Sequence, residues 1–158
     1  MEKSFLKLID GSFSRTVLPS LITIEIVKNK IQLKHYCLLK AKFLFEEGGS
    51  KVNENKLYSG LQSSYSSVIP AIMYFENIPI GIVNSNFNSE KSAMINMLFI
   101  DNTFRSNGYG KLLLAWYIAE LQKISVDIYL FFSPSNIPAQ RLYSRLGFKK
   151  IEEWKMVV

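Results

Sequence analysis

The chain has 158 residues, 48% hydrophobic and 20% charged. That suits a single domain over 1–158, of the globular kind, and excludes a disordered tail. One cysteine, Cys37, and one histidine, His35, exclude an internal disulfide and leave no thiolate or imidazole cluster, so no metal is expected.

Nineteen Lys and Arg against 13 Asp and Glu leave a net charge of +6. A phosphorylated cofactor would satisfy that charge. The densest basic group, Lys28, Lys30, Lys34, Lys40 and Lys42, reads as a solvated helix face. It lacks the interleaved aromatics of a nucleic-acid reader, so no nucleic acid is expected. The longest unbroken apolar run, Leu112–Ala119, is too short to span a bilayer. Lys7 and Asp10 interrupt any secretory h-region. The expectation is a cytoplasmic protein with no membrane partner.

In chain order, residues 1–20 show no clear period and read as an irregular N-terminal arm. Leu21–Val27, rich in β-branched residues, predicts a strand. Lys30–Glu47 predicts a helix, stopped by Gly48-Gly49. The polar stretch Ser50–Ser67 fits a loop or a second short helix. Val68–Phe75 and Ile78–Asn84 predict a hairpin through Glu76-Asn77, with a polar turn over Asn84–Lys91. Ala93–Ile100 predicts a strand, and about Gly108 to Lys123 a helix. Val126–Phe132 predicts a strand again. Ser133–Asn136 caps a further helix that accepts Pro138 in its first turn and ends at Gly147. Phe148–Val158 closes the chain as a strand. This order predicts an α/β (α+β) domain, a mixed sheet flanked by helices whose βαβ part runs parallel.

The informative loop is Arg105-Ser106-Asn107-Gly108-Tyr109-Gly110-Lys111, where a strand feeds a helix. Free N–H groups and the dipole at a helix start favour an anion. Gly108 and Gly110 permit close approach, and Arg105 and Lys111 add positive charge. By glycine spacing alone, a plain strand-to-helix turn fits equally well. A Walker loop fails, because Arg105 and Leu112 stand where Gly and Ser or Thr are needed. The dinucleotide fingerprint fails at Leu113. Downstream lies Asn136-Ile137-Pro138-Ala139-Gln140-Arg141-Leu142-Tyr143-Ser144-Arg145-Leu146-Gly147-Phe148. Taken singly, Asn136 is an ordinary helix cap and Tyr143 an ordinary core residue.

Together the two stretches resemble the Gcn5-related N-acetyltransferase (GNAT) family. RSNGYG corresponds to its Q/R-x-x-G-x-G/A signature, and NIPAQRLYSRLGF to N-x-x-A-x-x-x-Y-x-x-x-G-F. The match covers about Ala93–Lys150, with weaker agreement of element order from Leu21. The resemblance implies a strongly bent sheet and acetyl-CoA as co-substrate. It implies an amine acceptor, either a small molecule or a protein, and a monomer or homodimer. Leu98, Phe99 and Ile100 match the strand end that pairs with the pantetheine arm and thioester oxygen. Ser106, Asn107, Gly108, Tyr109, Gly110 and Lys111 match the pyrophosphate cradle, with Arg105 at its entrance. Asn136 matches a side chain on the cofactor's arm. Tyr143 matches the phenol beside the sulfur, a general acid for the leaving thiolate. Backbone N–H groups near Leu98 to Ile100 would stabilise the developing oxyanion. Cys37 is then an ordinary buried residue.

Two departures stand out. Family members often place a glutamate on the central strand or the next one, whereas this sequence has Asn96 and Phe131 there. Asp127 lies at the beginning of its strand, far from the sulfur; Glu46 and Glu47 either line the acceptor side or form a solvated pair; and a water chain or a backbone carbonyl would also serve as the base. Also, only ten residues follow Phe148, barely enough for a closing hairpin. The acceptor groove is therefore more open, or completed by a second protomer or by the N-terminal arm. The rival readings are a CoA-thioester-binding sensor or structural module without turnover, and a nucleic-acid-binding domain.

Overall fold

The computed structural model describes residues 2–8, 17–64, 68–86, 88–125 and 127–155. Residues 9–16 of the expected arm lie outside them, as do 65–67, Phe87, Val126 and 156–158. Seven strands form one mixed sheet in the order β2-β3-β4-β5-β6-β1-β7. They are β1 (Glu2–Leu8), β2 (Ile22–Ile26), β3 (Ala71–Phe75), β4 (Ile78–Asn86), β5 (Ser92–Ile100), β6 (Asp127–Phe132) and β7 (Phe148–Lys155). The helices are α1 (Lys30–Gly48), α2 (Glu54–Ser64), α3 (Tyr109–Gln122) and α4 (Ile137–Arg145). Only β5 and β6 pair in parallel, joined by α3 as the crossover.

Residues 2–8 correct the reading of an irregular arm: they are a strand. β1 lies antiparallel between β6 and β7. Its inward residue Leu6 is buried in the core, while Phe5 stacks on Tyr129 and Phe131 from the opposite face. Seven residues with two lysines and so few inward apolar positions carry little strand signal. Pairing on both edges supplies the stability that propensity does not. The N-terminal segment thus stands between β6 and β7.

The two faces of the sheet bury separate clusters. α3 covers one with Leu113, Leu114, Tyr117, Ile118 and Leu121. α1 and α2 cover the other through Leu33, Tyr36, Cys37, Leu39 and Leu61. Burial among these side chains pushes the Cys37 thiol up, in keeping with an inert core cysteine. Asn29 caps α1 by accepting from Gln32 N–H at 2.9 Å, and the helix ends on left-handed Gly49 at φ 68°.

A β-bulge sets the geometry of the site. Asn84 faces Met97 but Ser85 faces Ile95, so Asn96 is an extra residue on β5. Before it Ala93 and Ile95 pack toward α3; after it Met97 and Phe99 pack toward α1. One inserted residue exchanges the faces. The pairing of β5 with β6 runs only from Ser92–Asp127 to Ile95–Leu130. Beyond the bulge the two strands part.

Candidate active site

The gap between the parted strands is a cleft of about 150 Å³. Asn96 and Leu98 line it from β5, Phe131 from β6, Asn136 and Tyr143 from α4 and its cap, and Phe43 and Glu47 from α1. Asp101 N–H donates to the Ile80 carbonyl at 2.8 Å. Strand alternation then turns the backbone groups of Phe99 and Met97 to β4, and those of Leu98 and Ile100 to the gap. Phe99 is buried with its ring against Phe43 at 6.0 Å. Of the three expected strand residues, Leu98 therefore turns both backbone groups to the opening, and Ile100 its N–H, since the Ile100 carbonyl accepts from Arg105 Nε at 2.8 Å.

At the end of β5 the chain makes a short 3-10 turn, Asn102–Phe104, and enters the glycine loop. Ser106 takes a left-handed φ of 65°, which costs a non-glycine residue about 1–2 kcal/mol. Gly108, at φ 79°, is the residue before α3, and no side chain caps that helix. The first helical bond runs from Leu112 N–H to the Gly108 carbonyl at 3.1 Å. The N–H groups of Tyr109, Gly110 and Lys111 precede it. No acidic residue stands in that first turn, and Lys111 stands there instead. A lysine at a helix start opposes the dipole unless an anion lies between them. A Cβ at Gly110 would meet Ile100 at 3.7 Å and Leu142 at 4.0 Å, ordinary contacts. The fold itself does not require glycine there. This is a cradle that fits a phosphate group.

Arg105, expected at the entrance, is engaged elsewhere. Its Nε donates to the Ile100 carbonyl at 2.8 Å and its Nη2 to Glu46 Oε2 at 2.7 Å. Its guanidinium lies 5.3 Å from the Phe99 ring centroid. Lys42 Nζ bonds Asp101 Oδ2 at 2.6 Å. These two pairs tie the last turns of α1 to the end of β5. Beside them lies a larger cavity of about 650 Å³ between α1, the 51–54 segment and Asp101–Thr103.

α4 opens on Asn136, whose Oδ1 accepts from Ala139 N–H at 3.2 Å. Its NH2 group bonds none of the described residues, and Asn136 is one of the residues lining the cleft. Tyr143 packs edge-on to Phe132 at 5.6 Å and Phe148 at 6.2 Å. This burial pushes its phenol up to about 12, so it stays protonated through the neutral range. Asp127 sits at the paired end of β6, bonded to Lys7 at 3.3 Å, away from the cleft. His35 is half-buried on α1, its Nδ1 2.9 Å from the Tyr74 hydroxyl. Among the described residues, no cluster of His, Cys, Asp and Glu could hold a metal ion, and no helix is long and apolar enough to cross a membrane.

A parted parallel strand pair thus ends at an uncapped, glycine-rich helix start. The profile of the acetyltransferase (GNAT) family matches residues 38–148, and the chain belongs to that family. No curated protein matches the sequence. Among solved structures it resembles an acetyltransferase of the GNAT family from Novosphingobium aromaticivorans (TM-score 0.71, 14% identity, 96% of this chain and 60% of that one). It also resembles a GCN5-related N-acetyltransferase from Sphaerobacter thermophilus (TM-score 0.72, 15% identity, 96% of this chain, 49% of that one). A third is AAC(6')-Iy in complex with a bisubstrate analogue, CoA-S-monomethyl-acetylneamine (TM-score 0.69, 18% identity, 88% and 98%). The chain thus spans half to about 60% of the length of the first two.

Proposed function

We propose that this protein is an N-acetyltransferase that moves an acetyl group from acetyl-CoA to a primary amine, on a small molecule or a protein. The observation that carries this reading is the unpaired half of β5 ending at the uncapped start of α3. Acetyl-CoA supplies the activated thioester. The N–H groups of Tyr109, Gly110 and Lys111, with the Lys111 ammonium, hold its pyrophosphate, and Ser106, Asn107 and Gly108 shape that turn. Leu98 and Ile100 align the pantetheine arm as a strand partner would. The free amide of Asn136 bonds the same arm. The protonated phenol of Tyr143 gives its proton to the departing sulfur. The protein works as one domain in the cytoplasm, as a monomer or homodimer, without a metal.

A CoA-thioester-binding module without turnover draws on one observation: the cleft positions on β5 and β6 are Asn96 and Phe131, which take no proton. Thermal unfolding with acetyl-CoA, with ATP and ADP as controls, tests the cofactor. A ligand at about 100 times its Kd adds roughly 2.7 kcal/mol and moves Tm by several degrees. A shift specific to acetyl-CoA supports both readings, and CoA release on adding amines separates them. No shift at millimolar acetyl-CoA would sink both.

A further inference from the structure

Amine transfer needs a group that takes a proton from the acceptor, because an alkyl ammonium is not a nucleophile. The strands do not supply one. Asn96 and Phe131 face the cleft, and Tyr143 already carries its proton. Among the described residues that line the cleft, Glu47 is the one carboxylate.

Its position is built rather than incidental. Glu47 sits in the last turn of α1, next to Glu46, which Arg105 holds at 2.7 Å. Lys42, one turn earlier, is held by Asp101 at 2.6 Å. Both tethers anchor to the end of β5, so the end of α1 is fixed over the parted strands. Glu46 is thereby neutralised, whereas Glu47 has no ion pair with a described residue. No basic residue stands in the last turn of α1. The negative end of the helix dipole therefore adds to the carboxylate, and the pair attracts a cation.

We infer that Glu47 binds the acceptor as an ammonium ion in the β5–β6 cleft and takes its proton. This rests on the acetyl-transfer reading above. The step balances as follows. One N–H bond of the ammonium breaks and the proton passes to a Glu47 carboxylate oxygen. The nitrogen lone pair then forms the C–N bond, and the C–S bond breaks. Tyr143 protonates the leaving sulfur. The second N–H proton lost by the nitrogen returns through water to the Tyr143 oxygen, and Glu47 releases its proton to solvent. The acceptor class that follows is a basic alkyl amine, charged at neutral pH.

The test compares two acceptors in wild type and Glu47→Gln. Benzylamine is a cation at neutral pH; 4-methoxyaniline is already neutral. CoA release is followed for both, with thermal unfolding ± acetyl-CoA. Glu47→Gln should keep the acetyl-CoA shift, lose about 100-fold or more in kcat/KM with benzylamine, and change little with 4-methoxyaniline. Glu47→Asp should restore part of the loss. Independently of turnover, benzylamine should move the 13C carboxyl resonance of Glu47 in the CoA complex. Equal losses with both amines, or no loss with benzylamine, would overturn the role. A wild type that shifts with acetyl-CoA yet releases CoA with neither amine would also overturn it. A wild type that shows no acetyl-CoA shift would instead overturn the proposed function, and this role with it.

Discussion

Two helix ends meet at the open half of β5, and they have opposite character. α3 begins there with free N–H groups, two glycines and Lys111. α1 ends there with Glu46 and Glu47 and no basic residue in its last turn. The Arg105–Glu46 pair, at 2.7 Å, joins the two ends. One end suits the anionic phosphates of a cofactor and the other a cationic acceptor. The contrast teaches that the cleft is polar by arrangement of backbone ends as much as by side chains.

The largest expected effect removes the group between the two ends. Tyr143→Phe should lower kcat by about 10²–10⁴-fold, as for loss of a general acid, and leave the acetyl-CoA-dependent Tm shift unchanged. An unchanged rate would show that the sulfur leaves without this proton.

Breaking the α3 end comes next. Gly110→Val should obstruct the phosphate cradle. Loss of one charged hydrogen bond, about 1.5–3 kcal/mol, corresponds to roughly 10–100-fold weaker acetyl-CoA binding by calorimetry. Gly110→Ala should fold normally, since its Cβ makes only ordinary contacts. Equal acetyl-CoA affinity in wild type and Gly110→Val would remove the cradle from the account.

Loosening the α1 end should be milder. Arg105→Gln frees Glu46 and removes one of the two ties between the helix and the end of β5, leaving Lys42–Asp101. The pair is largely exposed, so unfolding stability should fall by no more than about 1 kcal/mol. The amine KM should rise more than that of acetyl-CoA, because the tether positions Glu47 rather than the cradle. A selective loss of acetyl-CoA affinity would assign Arg105 to the phosphates instead.

A separate effect is on pH dependence. Burial raises the Tyr143 phenol to about 12 in the folded chain, against about 10 when unfolded. The unfolded state therefore loses its proton first. Stability should be complete below about pH 10 and fall as pH rises toward 12. Burial also raises the phenols of Tyr36, Tyr74 and Tyr117, so Tyr143→Phe should make that fall shallower without abolishing it, in denaturation midpoints measured across this range.

Much of this was legible in the sequence because the signals were local. Gly108, Asn136, Pro138 and Gly147 act on their own backbone or the next turn, so the turns and helix ends they make can be read locally, whereas the roles of RSNGYG and NIPAQRLYSRLGF come from the resemblance to the GNAT family. The hairpin at Glu76-Asn77 was legible for the same reason: both residues adopt left-handed φ, 46° and 68°. What escaped depends on pairing across the fold. β1 gains its stability from β6 and β7, which lie more than a hundred residues away in the chain. The bulge at Asn96 appears only when β5 is set against β4. The pairing of Arg105 with Glu46 is invisible in the sequence, because the two stand 59 residues apart. Glu46 and Glu47 were indistinguishable as neighbours, and the tether on one of them separates their roles.

In the proposed function, the open half of β5 and the start of α3 receive acetyl-CoA. Amide chemical-shift mapping tests it directly: 15N-labelled protein is titrated with acetyl-CoA. The N–H signals of Leu98, Ile100, Tyr109, Gly110 and Lys111 should move, while those of Ala93 and Ile95, in the paired half of the same strand, stay in place. Shifts confined to the larger cavity around Lys42 and Lys51, or no shifts at all, would contradict the account.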